Sequence, residues 1–439
     1  MHPVPIFIHG MYKYRTMEDL VLESLNNMRV VSVTGARQVG KTTLVKRLCS
    51  RMGMDYVNFE DSVIRAAAQA DPDQWLEANP SPLAIDEIQH VPDLFRAIKR
   101  RVDANPKPGQ YLITGSALWL SMKKIGESLA GRVAILELWP FRFAEWHEKP
   151  SLDLLALCLP RLDTKLIQSL ISQNTALPSN WLADAILCSG FPVPAGFTSE
   201  RQRRLWFESY VSTYLQRDVL DFVRIEHPSA YARLIRLLAS RTGQILNVSS
   251  LARDLGIPQP TARRYAEWLQ ITYQRFEVPP YSANLGKRLV KMPKNYWVDT
   301  GMATALLGLK SWKELETLQL IGPMVETWVA GEIKKWGAAT GHVPLYFWRS
   351  HDGGEVDFLL EVEGQVVGIE VKTGQKLGRR DLAGLYECRQ ALGKRFRRGI
   401  VLYGGSTFLP LNESMIALPL SLLAGNNHPT AKYLKTKLA

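Results

Sequence analysis

Short apolar runs separated by helical patterns dominate the first third of the chain. Arg29 to Thr34 (RVVSVT) is a β-branched run of strand length, and it leads directly into Gly35 to Thr42 and the helical pattern TLVKRLC. Pro82 to Ile85, Gln110 to Thr114 (QYLIT) and Val133 to Leu138 are further strand-like runs. This alternation predicts an α/β domain with a parallel sheet, placed at residues 1–150.

The pattern then becomes helical. Trp206 to Val223 and Tyr231 to Ser240 read as helices. Asn247 to Leu255 carries Leu251, Ala252 and Leu255 at helical spacing, Gly256 supplies a turn, and Gln259 to Leu269 forms a second helix with Ala262, Tyr265, Trp268 and Leu269 inward. With strands expected at Tyr273 to Val278 and Arg288 to Lys291, the economical reading is a helical region plus a winged helix over residues 151–300. Residues 301–439 read as a C-terminal α/β domain. It has a helix at Gly322 to Trp336, a strand at Pro344 to Arg349, and a hairpin of Glu355 to Glu361 and Val366 to Lys372 turning at Glu363-Gly364.

A length of 439 residues fits about three folding units. The formal net charge of +12 favours polyanionic partners. Cys49, Cys158, Cys188 and Cys388 have no paired spacing, so neither a zinc cage nor a disulfide framework is written here. Met1 to Gly10 lacks a signal peptide's basic region, and no apolar run approaches the roughly 20 residues a membrane helix needs. A cytoplasmic protein with no membrane partner is expected.

A glycine-containing loop between strand and helix gathers backbone N–H groups and the positive end of a helix dipole, which suits phosphate. Gly35, Ala36, Arg37, Gln38, Val39, Gly40, Lys41, Thr42 and Thr43 would therefore hold ATP. Lys41 would reach the β- and γ-phosphates, and the Thr42 hydroxyl would ligate Mg²⁺. Asp86 and Glu87 end the small apolar strand at Pro82 to Ile85. Asp86 is expected to hold Mg²⁺ through a water and Glu87 to act as general base, although such a pair also serves as a helix N-cap. Ser116 is either a γ-phosphate sensor or an ordinary turn serine. Arg132 either supplies charge to a neighbouring subunit's site, implying a homo-oligomer such as a ring, or caps a carboxylate at the surface.

The phosphate loop GARQVGKTTL, the acidic motif AIDEIQ, the segment ITGS and the stretch SLAGRVAILELWPF together resemble prokaryotic AAA-type ATPases. The resemblance continues through FPVP, YLQRDV, LLASRTGQILN and YWVDTGMATALLG into EVDFLLE and EVK. Those later motifs match the C-terminal domain of unknown function 4143 that this group carries. The resemblance implies an AAA-like ATPase domain with a helical lid over its nucleotide. Arg217 and Arg241 either touch nucleotide from that lid or form structural ion pairs.

In the winged helix, Thr261, Arg263, Arg264 and Gln259 would project toward a DNA groove, joined by Lys287, Arg288, Lys291 and Lys294. A helical Glu326, a strand Asp357 and the sequence Glu370-x-Lys372 resemble the restriction-endonuclease-like nuclease core. That likeness implies Mg²⁺ held by Asp357, Glu370 and the Val371 carbonyl, with Lys372 orienting water or stabilising charge and Glu326 completing the site. The basic stretch Lys376, Arg379, Arg380, Arg389, Lys394, Arg395, Arg397 and Arg398 would neutralise phosphates. A fold that no longer cuts remains open. These readings predict an ATP-hydrolysing protein that binds or remodels double-stranded or branched DNA. Two rivals stand beside it: a nucleotide switch that docks a protein partner, and a DNA-binding regulator whose ATP site is mainly structural.

Overall fold

The computed structural model describes residues 12–115, 129–149, 152–174, 177–218, 225–282, 286, 291–341, 343–350 and 353–425. Its first sheet is built around β1 (Val30–Thr34), buried at every position because helices cover both faces. β2 (Asp55–Asn58), β3 (Leu83–Asp86), β4 (Tyr111–Thr114) and β5 (Val133–Glu137) complete it in the order β2-β3-β4-β1-β5. All pairings are parallel, with Val31 opposite Leu112 on one side and Ala134 on the other. Helices α1 (Met17–Asn27) and α2 (Lys41–Met52) bury Val21, Leu25, Leu44 and Leu48 against one face. Helix α3 (Leu94–Ala104) buries Phe95, Ile98 and Val102 against the other. Each such side chain contributes roughly 2 kcal/mol through removal from water. Because the strands run parallel, their C-terminal ends share one rim, where loops can build a site.

After this sheet come α4 (Leu154–Cys158) and α5 (Glu200–Tyr210), the latter continued by π-helical turns over Val211–Asp218. The rest of the helix expected to reach Val223 lies outside the described residues. Next follow α6 (Pro228–Ser240), β6 (Gln244–Ile245), α7 (Val248–Leu255), α8 (Gln259–Ile271), β7 (Arg275–Val278) and β8 (Lys294–Trp297). The three strands pair antiparallel in the order β6-β8-β7, giving the helix, strand, helix, helix, strand, strand succession expected of a winged helix. Asn247 caps α7 by accepting from Ser250 N at 2.9 Å. Of the second strand expected at Arg288 to Lys291, residues 288–290 lie outside the described residues; the strand described after them is Lys294–Trp297. Arg241 forms an ion pair with Asp254, the structural alternative of its two readings.

The last part contains α9 (Thr300–Leu306), α10 (Ile321–Thr340), β9 (Leu345–Arg349), β10 (Glu355–Val362), β11 (Gln365–Lys372) and α11 (Ala383–Leu392). It ends with β12 (Phe396–Tyr403), β13 (Leu409–Pro410) and β14 (Met415–Pro419). The sheet is mixed, in the order β13-β14-β12-β11-β10-β9. The predicted hairpin is present: Val362 stands opposite Gln365, with Glu363 and Gly364 at φ 52° and 73° in a two-residue turn.

Helix α10 binds the parts together. Its Glu332 faces Arg142 across 3.4 Å, accepts from Phe143 N at 3.3 Å, and sits beside Lys335, which donates to Phe141 O at 3.1 Å. These charges are buried, and stripping either side of such a pair costs roughly 3–5 kcal/mol. The SGFP and VDTG segments meet nearby. Asp299 accepts from Gly190 N at 2.7 Å, and a Cβ on Gly301 would lie 2.6 Å from Cys188 O, so only glycine allows this approach. Two members of the basic stretch have structural work: Arg397 and Arg398 donate to the carbonyls of Cys158 and Leu157 at the end of α4. Lys376, Arg379, Arg380, Arg389, Lys394 and Arg395 are exposed. Among the described residues, no helix is long and apolar enough to cross a membrane.

Candidate functional site

The loop between β1 and α2 sits on the rim formed by the strand C-termini. It opens at Gly35, where a Cβ would come within 2.1 Å of Leu138 O, and closes at Gly40, which precedes the first residue of α2. Arg15 props it from below by donating to Val39 O at 3.0 Å and to Trp139 O. From the helical side, Tyr210 donates to Arg37 O at 3.3 Å, and the Arg37 guanidinium lies 5.4 Å from the Tyr214 ring centre. Lys41 folds back into the loop and donates to Gly35 O and Ala36 O at 3.1 and 2.9 Å. Burial lowers the Lys41 pKa from its ordinary 10.5, with Glu87 and Asp86 opposing that shift. An ammonium held by two loop carbonyls, beside the N-terminus of α2, is suited to an anion.

Asp86 is the fully buried centre of the acidic side. Its Oδ2 accepts from the Thr42 hydroxyl at 2.7 Å and from Tyr56 OH at 2.8 Å. Its Oδ1 accepts from Thr114 and from Glu87 N, the latter at 3.1 Å. Glu87 has a left-handed backbone, φ 54°, and its carboxylate accepts from Gln89 Nε2. Glu87 does stand at the N-cap position of a short 3-10 turn, Ile88–His90, but its side chain caps no N–H there. Sequence reasoning missed Tyr56, Thr114, Gln89 and Arg15. For Thr114 there was a signal: β4 ends beside β3 in parallel register, Ile85 opposite Ile113, so the next polar residue must meet Asp86. Ser116, nominated for that strand end, lies outside the described residues.

Arg132 lies at the N-terminal end of β5, on the rim opposite its own phosphate loop. Asp103 engages it with both carboxylate oxygens, at 2.9 Å for Nη2. It is thus paired within its own chain. On the winged helix, Arg263 and Gln259 are exposed, but Thr261 is 7% exposed and faces the core, correcting its placement toward a groove. Thr261 falls four residues before Tyr265, on the same buried stripe of α8. Arg264 makes a half-exposed pair with Glu226 at 3.2 Å. Arg263 lines a groove of about 410 Å³ with Glu267, Gln270 and Glu277, so charges of both signs meet there. Lys291 is exposed, whereas Lys287 and Arg288 lie outside the described residues.

The four residues named for a C-terminal acidic site do converge. Asp357 Oδ2 accepts from Val371 N at 2.8 Å, and Lys372 donates to Glu370 Oε1 at 2.7 Å. Burial, reinforced by Glu326 and Glu370, raises the Asp357 pKa well above 3.8; burial raises that of Glu370 against the pull of Lys372. A fifth residue was not expected there. Lys294, counted above with the DNA-facing cations, is buried with Nζ 2.9 Å from Glu326, 2.5 Å from Glu355 and 3.9 Å from Asp357. Among the described residues, no group of three His, Cys, Asp or Glu side chains is arranged to hold a metal ion.

A five-stranded parallel sheet carrying a glycine-bounded phosphate loop after β1 and an acidic pair after β3 defines a nucleotide-binding protein of the P-loop class, AAA type. Comparison with known families agrees: residues 27–147 match the profile described as "AAA domain". Residues 179–313 match a domain of unknown function (DUF8612), and residues 321–423 another (DUF4143). The chain is 30% identical over 402 residues to the uncharacterized protein Rv2008c of Mycobacterium tuberculosis, covering 90% of this chain and 81% of that one. It is 24% identical over 355 residues to the uncharacterized protein MJ1544 of Methanocaldococcus jannaschii, covering 78% and 74% of the two chains. Among solved structures it is similar to a Walker-type ATPase of Pyrococcus abyssi, at 18% identity and TM-score 0.41, over 68% of this chain and 97% of that one. The protein belongs to the family of AAA-domain P-loop ATPases that carry a C-terminal DUF4143 domain.

Proposed function

We propose that the protein hydrolyses ATP with Mg²⁺ at the phosphate loop and couples turnover to binding or remodelling DNA in the cytoplasm. The observation that carries the ATPase half is the 2.7 Å approach of the Thr42 hydroxyl to the Asp86 carboxylate at the mouth of the loop. Two hard oxygen donors, one on the phosphate-binding helix and one on the neighbouring acidic strand, are the donor set that Mg²⁺ takes beside a nucleotide's phosphates. The metal, when bound, supplies charge neutralisation for the phosphate oxygens. Lys41 and the loop N–H groups orient the triphosphate, and Glu87 takes the proton of the attacking water. Thr114 and Tyr56 hold Asp86 in one orientation.

The DNA half draws its support from the order of winged-helix elements, from exposed Arg263, Gln259 and Lys291, and from the exposed cations between Lys376 and Arg395. A homo-oligomer, ring or dimer, is part of the proposal through Arg132, whose release from Asp103 would free it for a neighbouring site. The C-terminal order of helix, three strands, helix and strand, with Asp357 on β10 and Glu370 and Lys372 on β11, supports a restriction-endonuclease-like fold. The position of Lys294 favours the version of that domain that does not cut.

The test is steady-state ATP turnover without DNA and with single-stranded, double-stranded or branched DNA, in wild type and Arg263→Ala/Arg264→Ala. Stimulation that disappears in the double variant supports coupling through the winged helix. Turnover indifferent to every DNA sinks the DNA half and leaves a nucleotide switch for a protein partner.

A further inference from the structure

Lys294 is the first residue of β8, in the winged-helix sheet, yet its ammonium is buried inside the carboxylates of the C-terminal domain. The acids come from two elements: Glu326 from α10, and Glu355 and Asp357 from one face of β10. Tyr296, two residues on along β8, donates to the same Glu326 oxygen at 2.5 Å. The strand thus delivers two donors into one acidic cluster. The surrounding backbone fixes that delivery, because Tyr281 N donates to Phe347 O at 2.6 Å and Phe347 N to Pro279 O at 3.0 Å, stitching the chain after β7 to β9. Thr242 and Thr327 share a further hydrogen bond of 2.8 Å across the same seam.

A divalent ion held by Asp357 would share that carboxylate with this ammonium, whose Nζ is 3.9 Å from Asp357 Oδ1 in a region where solvent screens little. Like charges at that range repel strongly, and Lys294 already occupies oxygens of Glu326 and Asp357, two of the acids named for the metal. Access is also limited: the Lys294 side chain is 4% exposed and that of Asp357 14%.

We infer that Lys294 is the resident cation of the C-terminal acidic cluster, so that the cluster is a salt lock joining the winged helix to the C-terminal sheet and excludes a divalent metal while the two are docked. This goes beyond the ATPase reading and does not depend on it. The two sites are separable by Asp357→Asn, which leaves Thr42 and Asp86 intact.

The experiment is titration of the nucleotide-free full chain with Mn²⁺, followed by the electron paramagnetic resonance signal of the free ion. Wild type is expected to take up no Mn²⁺ at this cluster. Lys294→Met is expected to gain one site, bound about tenfold or more tighter than anything in wild type once the like charge is gone, and Asp357→Asn added to it removes that site again. Should Lys294→Met fail to fold alone, Mn²⁺ or Ca²⁺ restores its fold under this inference, and failure to restore it counts against. Two results overturn the inference: Mn²⁺ binding by wild type that Asp357→Asn abolishes, or a folded Lys294→Met that gains no site.

Discussion

The Thr42 hydroxyl donates to Asp86 Oδ2 across 2.7 Å, joining the helix that follows the phosphate loop to the acidic strand beside it. The two residues differ in what else they hold. Thr42 is half-buried, while Asp86 is fully buried and accepts four hydrogen bonds. Thr42→Ala is therefore expected to raise the Mg²⁺ needed for half-maximal turnover about tenfold with little change in melting temperature. Asp86→Asn loses turnover and also stability, by about 1–3 kcal/mol, because buried donors are left unmatched. Mg²⁺ titrations of ATP turnover and thermal melts distinguish the two; equal stability losses would contradict this assignment.

Gln89 restrains the proposed base. Its amide donates to the Glu87 carboxylate, occupying Oε2 and holding the group in one direction. Gln89→Ala is expected to raise kcat about threefold with KM for ATP unchanged, as a freed base becomes more effective. A fall in kcat at constant KM would instead make Gln89 a positioning residue.

Arg15 and Glu145 form a buried pair at 3.4 Å beneath the loop. Burial pushes the Glu145 carboxyl up, but Arg15 and the N–H groups of Thr16 and Arg142 together bring it below its ordinary 4.5. A carboxylate depressed on folding contributes stability that is complete above its unfolded pKa and is lost as pH falls through the folded value. Arg15→Met removes the partner, so the acid-unfolding midpoint should move to higher pH. Urea unfolding across the acid range checks this; variant and wild-type curves that stay parallel down to the acid limit would reject it.

Arg263 and Arg264 are adjacent but not equivalent. Arg263 is exposed in a mixed-charge groove, and Arg264 is paired with Glu226. Under the DNA proposal, Arg263→Ala reduces the slope of log affinity against log salt by about 0.9, the loss of one phosphate contact. Arg264→Ala changes it less. Fluorescence anisotropy with duplex DNA at several salt concentrations measures both, and a larger effect at Arg264 would reverse the assignment.

Features encoded within a few residues were legible in the chain. The β1 run, the phosphate loop and the start of α2 are contiguous, and the Glu363-Gly364 turn sets the β10/β11 register locally. What was hidden depended on distant segments meeting. Tyr56 reaches Asp86 only because β2 lies beside β3, and Arg15 reaches Val39 only through the packing of the segment before α1. Lys294 looked like one more basic residue near Lys291, since charge counting cannot tell a solvated lysine from one enclosed by carboxylates 32 to 63 positions away. Nor does charge counting show that Arg397 and Arg398 donate to carbonyls at the end of α4. Thr261 was a different kind of error: its phase against Tyr265 already placed it inward.

The central claim is that the Thr42, Asp86 and Glu87 constellation hydrolyses ATP, and its most direct measurement is single-turnover ATP hydrolysis by wild type and Glu87→Gln alongside equilibrium binding of the same nucleotide. Both proteins should bind ATP with Mg²⁺ with closely similar affinity, and the variant should lose about 100-fold or more in the hydrolysis step. Hydrolysis undiminished in Glu87→Gln, or ATP binding absent in wild type, would contradict the account.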